Sequence, residues 1–250
     1  MDPHMEAVFF EIHTDLPREG PGSAATTRRA FEMIPGLPDR PRILDAGCGP
    51  GKQTFDLAAL TEGVIHAVDM HQPYIDRLAA AAAERGLAER IRPRNADMLT
   101  PPFPPGSFDL IWAEASIYTI GFEAGLRAWR PLLAPGGHAA VSELCWLRPD
   151  PPREALEFWL EGYPDMSDRD GNAERIERAG YRLIADFVLP ASDWWTDYYT
   201  PIEARLATLR ERHAGDDAAL AVLDAEQAEI DLYRRHGDAF GYVFFVMQRD

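Results

Sequence analysis

Three glycines that directly follow a short apolar run constrain the fold of this chain more than any other feature. The run R-I-L-D (42–45) leads into D-A-G-C-G-P-G (45–51), and residues 51–60 have helical spacing. A second apolar run, V-I-H-A-V-D (64–69), ends in an acid. Glycines in such a turn let the backbone bend tightly and approach a ligand closely. The pattern predicts a strand, a glycine loop, a helix and a second strand.

The same alternation continues to residue 145. The pattern predicts a helix over 74–85, strands over 91–95 and 108–113, a helix over 122–133 that ends at the turn P-G-G (135–137), and a strand over 138–145. Strands that alternate with helices at this spacing are parallel and joined by crossover helices. The sequence therefore predicts an α/β fold with a doubly wound, mostly parallel sheet.

The remaining residues are less regular and complete a seven-stranded sheet. Helices are predicted over 154–163 and 172–179, and strands over 181–189 and 242–249. Between these strands, residues 201–236 predict two helices broken near 215–217. Such a long connection is usually a cap or an interface. We expect an N-terminal helical lid segment (1–41), a core (42–190), an aromatic and helical cap insert (191–240) and a final core strand (241–250).

The composition of the chain limits the classes of partner that it is expected to bind. The chain has 250 residues, 46% of them apolar, which predicts a folded, water-soluble protein. Its 41 acidic and 25 basic residues give a net charge of −16, which repels a phosphate backbone and disfavours nucleic acid as a partner. We find no apolar run of membrane-spanning length and no signal peptide, so we expect a cytoplasmic protein with no membrane partner. Cys48 and Cys145 are too few for a disulfide framework or a Cys-x-x-Cys zinc site, and we assign no metal ligand.

The spacing of the glycines distinguishes between ligands. A dinucleotide fingerprint starting at Gly47 needs a glycine at position 52, where Lys52 stands. With its D-x-G-x-G-x-G motif, the chain resembles the class I S-adenosylmethionine-dependent methyltransferases. The resemblance continues over residues 42–146, and it implies their Rossmann-like fold and their cofactor. Stretches 111–122 and 194–201 are similar to a bacterial branch of small-molecule enzymes related to the ubiquinone and menaquinone biosynthesis methyltransferases.

The resemblance implies roles for residues at the strand ends that face the adenosine part of S-adenosylmethionine. Asp69 would bond both ribose hydroxyls, since a carboxylate accepts two donors with charge-assisted bonds. Met70 would lie against the adenine face. Asp97 would accept from the adenine amine, and the backbone N–H of Met98 would bond the ring. A solvated acid at position 69 and turn chemistry at position 97 remain the structural alternatives.

The methionine part of the cofactor is assigned in the same way. Asp45 would orient the glycine loop and the amino group, Gln53 would reach the carboxylate, and Glu114 would hold the amino group. Lys52 is expected to be solvated. The loop itself would be formed by Gly47, Gly49 and Gly51.

The sequence offers fewer signals for the residues that surround the methyl acceptor. An acid near the end of a central strand is costly to bury without a partner or a task, so Glu143 is our first candidate for the base. Glu114 is the second, with a bond to the methionine amino group as its alternative role, and His13 is to be tested next. For His13 the alternative is a surface histidine, and for the aromatic residues it is core packing. The residues expected to wall the substrate pocket are Tyr118, Trp146, Trp194, Trp195, Tyr198 and Tyr199.

These observations predict an enzyme that transfers a methyl group from S-adenosylmethionine to oxygen, nitrogen or carbon of a small molecule, with S-adenosylhomocysteine as product. Neither cysteine follows a proline, and no N-P-P-Y or D-P-P-Y follows the fourth strand, which disfavours methylation of nucleobases. The first alternative is a protein that binds either form of the cofactor without turnover, and the second is an NAD-dependent oxidoreductase. The sequence leaves a homodimer open.

Overall fold

The computed structural model describes residues 2–16 and 18–250, and a mixed sheet lies at its centre. Its strands run in the order β3-β2-β1-β4-β5-β8-β7, with the two-residue β6 paired to β5. The first five strands pair in parallel, whereas β8 lies antiparallel between β5 and β7. The strands are β1 (Arg42–Ala46), β2 (Val64–Asp69), β3 (Ile91–Asn95), β4 (Phe108–Ala113), β5 (Leu133–Trp146), β6 (Ser167–Asp168), β7 (Tyr181–Val188) and β8 (Phe240–Arg249). The predicted fold class is confirmed.

Helices connect the strands and cover the sheet. They are α1 (Pro3–His13), α2 (Ala24–Glu32), α3 (Lys52–Leu60), α4 (Gln72–Glu84), α5 (Phe122–Trp129), α6 (Arg153–Gly162), α7 (Arg169–Arg178), α8 (Ala191–Trp194), α9 (Thr200–Arg212) and α10 (Asp217–His236). Asp216 caps α10 by accepting a hydrogen bond from the backbone of Ala219, at the predicted break. Across residues 2–16 and 18–250, no helix combines the length and apolarity needed to cross a bilayer.

The boundary between α5 and β5 differs from the prediction. The helix expected over 122–133 ends at Trp129, and β5 already begins at Leu133. Pro131 lacks a backbone N–H and cannot continue the helical hydrogen bonding. The predicted P-G-G turn lies within β5, where Gly136 has a φ of +73° and the register with β4 shifts.

Two apolar cores lie on opposite faces of the sheet. Alternate residues of β4 show this, because Trp112 belongs to one core and Ile111 to the other. The core on the Trp112 side also takes in Ile12 of α1, Ile202 of α9 and Ile230 of α10. The helices of the predicted cap insert therefore share a core with the sheet and with the N-terminal helix.

Candidate functional site

A cavity of about 400 Å³ lies where β1, β2 and β4 end at their carboxyl sides. We call it the strand-end cavity. Its walls come from the glycine loop, the start of α3, the residues after β2, β3 and β4, and residues 18–21. Most residues predicted to hold the cofactor line it, namely Gly47, Gly49, Gln53, Asp69, Met70, Asp97, Met98 and Glu114.

Asp69 keeps acceptor capacity on both carboxylate oxygens. Oδ2 accepts a hydrogen bond from the backbone N–H of Gly49 at 3.0 Å, and Oδ1 accepts one from His71 at 2.8 Å. Each oxygen of a carboxylate has two lone pairs. A diol entering the strand-end cavity can therefore still bond to this half-buried side chain.

Asp97 makes the turn contacts that its sequence context suggested and lines the cavity as well. Its Oδ1 accepts from the backbone N–H of Leu99 at 2.8 Å, and its Oδ2 accepts from the Thr100 hydroxyl at 3.2 Å. Met70 is 70% exposed on the same wall. An apolar surface that is open in this way is suited to contact with a flat ring.

Two of the predicted cofactor residues lie behind the loop and do not line the cavity. Asp45 is fully buried and accepts from the Thr54 hydroxyl at 2.5 Å, and burial raises the pKa of its carboxyl to about 7. Gly51 has a φ of +93°, and a Cβ there would lie 2.3 Å from Cδ1 of Leu78. Both residues hold the glycine loop against neighbouring elements.

The start of α3 offers free backbone donors to the cavity. No described side chain caps its first turn, and Lys52 and Gln53 line the cavity there. The N-terminus of a helix favours negative groups. Lys52 is not freely solvated, because its ammonium pairs with Asp56 at 2.8 Å.

Arg18 is a site residue that the sequence analysis missed. It lies in residues 18–22, which we call the strap, and only 4% of it is exposed. Its guanidinium donates to Glu114 at 2.9 Å and to Asp56 at 2.7 Å. Glu114 also accepts from Thr27 and Trp112. The predicted partner of an amino group is thus already bonded to a cation that fixes the strap.

A second cavity, of about 270 Å³, lies beside the first. We call it the aromatic cavity because of its wall, which includes Tyr118, Phe158, Trp159, Tyr163, Trp194, Tyr198 and Tyr242. Glu19, Gly20, Pro21 and Ala115 line both cavities. A Cβ at Gly20 would lie 2.6 Å from the Cβ of Ala115, which itself has a φ of +50°. The strap and the end of β4 therefore form a thin shared wall.

Some of the aromatic residues expected in the substrate pocket do not line this cavity. Tyr199 is 1% exposed and lies in the core, where its hydroxyl donates to Glu229 at 2.8 Å. Trp195 packs under the Arg234 guanidinium, and Trp146 packs edge-on against Phe240. These three side chains pack against the insert or the sheet and are not exposed in the cavity. Tyr118, Trp194 and Tyr198 are on the wall as expected.

His13 is buried and lies between two carboxylates. Its Nδ1 is 3.1 Å from Glu19 Oε2, and its Nε2 is 3.7 Å from Glu226 Oε1. Burial alone would lower the pKa of the imidazole, but the two carboxylates together raise it to about 9. His13 is therefore an imidazolium at neutral pH, which has no free lone pair for a proton. This argues against its predicted role as a base.

Glu143 lies in the centre of the sheet and lines neither cavity. Only 1% of it is exposed, and burial raises the pKa of its carboxyl to about 8. Its Oε1 accepts from the Tyr163 hydroxyl at 2.6 Å, whereas Oε2 has no partner among the described residues. The predicted base therefore reaches the aromatic cavity only through Tyr163.

Glu229 is a carboxylate of the aromatic cavity that was not predicted from the sequence. It lies on α10 and lines the aromatic cavity. Tyr199 donates to its Oε1, and among the described residues no other group donates to this carboxylate. Burial raises its pKa to about 7. In the sequence it reads as one acid of a solvated helix, so only the fold reveals its position.

Residues 43–137 match the family model of the methyltransferase domain. The chain is 26% identical over 237 residues to a 27-O-demethylrifamycin SV methyltransferase of Amycolatopsis mediterranei, which covers 90% of this chain and 84% of that protein. It is 28% identical over 174 residues to a sterol 24-C-methyltransferase of Gibberella zeae, covering 65% of this chain but only 45% of that protein. The chain also spans about half the length of other curated relatives that it matches.

Solved structures match the fold along nearly the whole chain. A methyltransferase from Geobacter sulfurreducens, solved with S-adenosyl-L-homocysteine, superposes with a TM-score of 0.82 and 17% identity over 98% of each chain. Since so low an identity carries the fold alone, this match extends the shared architecture beyond residues 43–137, to the strap and the insert.

Proposed function

Because the chain belongs to the class I S-adenosylmethionine-dependent methyltransferases, we propose that it is an enzyme that methylates a small molecule. The observation that carries this proposal is the wall shared by the two cavities. With the cofactor in the strand-end cavity and the acceptor in the aromatic cavity, the reacting groups would meet in direct contact at the border that Gly20 and Ala115 line on both sides. Alignment of nucleophile, carbon and leaving group supplies much of the catalysis of such a displacement.

The residues of the strand-end cavity fit S-adenosylmethionine. Asp69 retains lone pairs for the ribose diol, and the uncapped start of α3 can receive the carboxylate. Gly49 has a φ of +52° and lines the cavity, so its bare backbone leaves room for the ligand. Bound there, the cofactor supplies a methyl group activated by a positively charged sulfur. Asp97 and Met98 would hold the adenine, and Arg18 would contribute positive charge near the carboxylate.

The acceptor is small. The aromatic cavity, at about 270 Å³, falls slightly below the range of roughly 300–1,000 Å³ that is usual for drug-sized ligands. Its aromatic wall excludes water and provides flat contact surfaces. The names of two relatives contain sterol and rifamycin SV. Substrates as large as these do not suit a cavity of this volume. Transfer to oxygen, nitrogen or carbon is compatible with the proposal.

The polar groups beside the aromatic cavity have distinct proposed roles. His13, as a cation, pairs with Glu19 and fixes the strap, which makes it a positioning residue. Glu229 faces the cavity directly and is better placed than Glu143 to receive a proton from the acceptor. Glu143 would act through Tyr163, by holding that side chain in the cavity wall.

Calorimetry followed by a labelling assay tests the proposal. Titration with S-adenosylmethionine, S-adenosylhomocysteine and NAD separates the methyltransferase from an oxidoreductase, which must bind NAD. Incubation with methyl-labelled cofactor and a fractionated metabolite extract should then yield a labelled small molecule. Tight cofactor binding with no labelled product in any fraction would instead favour the alternative of a binding protein without turnover.

The biological setting remains part of the proposal. We place the protein in the cytoplasm, working on a small molecule and not on nucleic acid, in agreement with its charge of −16. It would work as a monomer or a homodimer, which sedimentation measures directly. Residues 1–41 would close over the cofactor, 42–190 and 241–250 would form the core, and 191–240 would complete the acceptor site. Membership of the branch related to ubiquinone and menaquinone biosynthesis also stays a proposal.

A further inference from the structure

The aromatic cavity has an unusual combination of rings and charge. Its aromatic side chains come from the turn after β4, from α6, from the region of α8 and from β8. Two carboxylates, Glu19 and Glu229, complete the wall. Within residues 2–16 and 18–250, no lysine, arginine or histidine side chain lines it. The cavity therefore presents ring faces and negative charge to whatever enters.

Such a lining selects a cation. The face of an aromatic ring carries negative potential, and several rings together are the known means of binding substituted ammonium ions. A carboxylate strengthens this attraction with a charge-assisted hydrogen bond to an N–H donor. Carboxylates and phosphates would instead be repelled, because the one cation behind this wall, His13, lies between Glu19 and Glu226 and leaves the charge of Glu229 without a paired cation among the described residues.

We propose that the acceptor is an organic amine, which binds in the aromatic cavity as its ammonium ion with Glu229 and Glu19 as counter-charges. This inference rests on the proposed function and names its substrate class. The two acids are placed for different tasks. Glu19 lies in the wall shared with the strand-end cavity, where the methyl group would be presented, whereas Glu229 lies on α10, away from that wall.

The bonding of the two acids agrees with an incoming donor. Oε2 of Glu19 faces His13, whereas its Oε1 has no partner among the described residues. Among the described residues, Glu229 accepts a hydrogen bond from Tyr199 alone. Both carboxylates are half-buried and keep unused acceptor capacity. An ammonium group supplies further donors to both acids and a counter-charge for Glu229.

Methylation of an ammonium ion requires that its nitrogen first lose a proton. Glu229 would take that proton, and the neutral nitrogen would then turn its lone pair toward the shared wall and form the new bond to the methyl carbon. The carbon–sulfur bond breaks, and its electron pair stays on sulfur. The product is again a protonated amine, so the proton held by Glu229 leaves to solvent, and no oxidant or reductant is needed.

A binding experiment that needs no turnover tests the charge preference. The probe is (3-hydroxyphenyl)trimethylammonium, and its uncharged isostere is 3-tert-butylphenol, in which carbon replaces the nitrogen. Both are titrated by calorimetry into the wild-type protein loaded with S-adenosylhomocysteine. We expect the charged probe to bind at least about tenfold more tightly, from cation–π contacts with the rings and from Coulomb attraction to the carboxylates. Equal or tighter binding of the neutral isostere would overturn the inference.

Two variants locate the effect on Glu229. Glu229→Gln keeps the acceptor atom for Tyr199 but removes the charge, and we expect it to lose most of the preference for the charged probe. Asp224→Asn is the matched control, because Asp224 lies on the same helix, pairs with Arg210 at the exposed surface and does not line the cavity. It should change the preference by less than about threefold. Circular dichroism and an unchanged affinity for S-adenosylhomocysteine show that each variant is folded. An unaltered preference in a folded Glu229→Gln protein contradicts the role of Glu229.

The affinity for the charged probe should also depend on pH. Glu229 faces Glu226 on its own helix, His13 of α1, Glu19 of the strap, and Tyr198 and Tyr199. Since its pKa is raised to about 7, it ionises between pH 6 and 8, while His13, with a pKa of about 9, stays protonated. Binding of the cation should therefore tighten as pH rises through this interval and should do so less in Glu229→Gln. A flat profile in the wild type would count against the proposal.

A product analysis separates this inference from the proposed function. Methyl label from S-adenosylmethionine is followed into a metabolite extract, and the products are passed over a cation exchanger at acidic pH. Label in a retained, basic product other than the cofactor, which is itself a retained sulfonium cation, supports an amine acceptor. Label only in neutral or acidic products keeps the methyltransferase and overturns the amine. Absence of label from all products, with the cofactor bound, overturns the proposed function itself.

Discussion

The two cavities differ in how the chain builds them. The strand-end cavity is formed mainly by short segments that each follow a parallel strand, so its lining residues outside the strap occur in order along the chain between Gly47 and Ile120. The aromatic cavity instead combines the strap with side chains from α6, the region of α8, α10 and β8. The first cavity therefore depends mainly on local turns. The second depends on long-range packing of the insert against the sheet, and we expect the acceptor to be selected there.

The sharpest test of this division is Gly49→Val in the glycine loop. Gly49 has a φ of +52°, which a β-branched residue strongly disfavours, and its Cβ would point toward Glu19 Cγ at 3.4 Å. We expect the affinity for S-adenosylmethionine to fall by more than about 100-fold, equivalent to about 2.7 kcal/mol. Binding of (3-hydroxyphenyl)trimethylammonium to the protein without cofactor should change by less than about threefold. Calorimetry measures both ligands.

Gly51→Ala provides the control for that prediction. Its new Cβ would meet Leu78 at 2.3 Å and not the cavity, so it should lower the free energy of unfolding with less effect on cofactor affinity. Wild-type affinity in a folded Gly49→Val protein would mean that the cofactor does not use the glycine loop.

Arg18→Met tests the place where the two cavities meet. The change removes the guanidinium but keeps an apolar stem, so it leaves Glu114 without its cation and Asp56 with Lys52 alone. Breaking a buried ion pair in this way typically costs about 3 kcal/mol, which urea unfolding can measure. Because the strap lines both cavities, the affinities for cofactor and for charged probe should fall together. A loss confined to one ligand would show that the strap serves only one cavity.

Asp69→Ala should affect the strand-end cavity alone. Loss of charge-assisted hydrogen bonds to a diol predicts a weakening of S-adenosylmethionine binding by about 1.5–3 kcal/mol. The fold should survive, because Asp69 is half-buried at a strand end. Asp97→Ala serves as the comparison, and we expect a smaller loss since Asp97 also bonds Leu99 and Thr100. Unchanged affinity in a folded Asp69→Ala protein removes this residue from the ribose.

The sequence predicted the strand-end cavity better than the aromatic cavity. The glycine loop and Asp69 could be placed because each follows a strand with a recognisable apolar run, and parallel strands bring their carboxyl ends together. The order of the elements likewise predicted the sheet, while Pro131 explains why α5 ended early. These are consequences of short stretches of chain, which local patterns describe well.

Arg18 and Glu229 could not be predicted because their roles arise from contacts across long stretches of sequence. Arg18 bonds Glu114, 96 residues away. Glu229 lies in a helix whose acids suggest a solvated face, and only the packing of α10 brings it to Tyr199 and the aromatic cavity. Glu143 was singled out correctly as a buried acid, but the pattern of β5 could not show that Tyr163 separates it from a cavity role.

The smallest predicted effect concerns Glu143 and distinguishes a structural acid from a catalytic one. Because burial raises the pKa of this carboxyl to about 8, the folded protein holds a proton that the unfolded chain releases above its ordinary pKa near 4.5. The free energy of unfolding should therefore fall as pH rises between these values and level off above pH 8. The contribution of one such group is at most about 1.4 kcal/mol per pH unit. Glu143→Gln should remove that part of the slope, measured by urea unfolding between pH 5.5 and 7.5, and Tyr163→Phe should retain it.

Turnover of a known acceptor should stay within about threefold in Glu143→Gln if Glu229 receives the proton, whereas loss of a general base costs at least about 100-fold. A 100-fold loss of turnover with an unaltered stability profile would restore Glu143 as the base and would join the centre of the sheet to the aromatic cavity as one site.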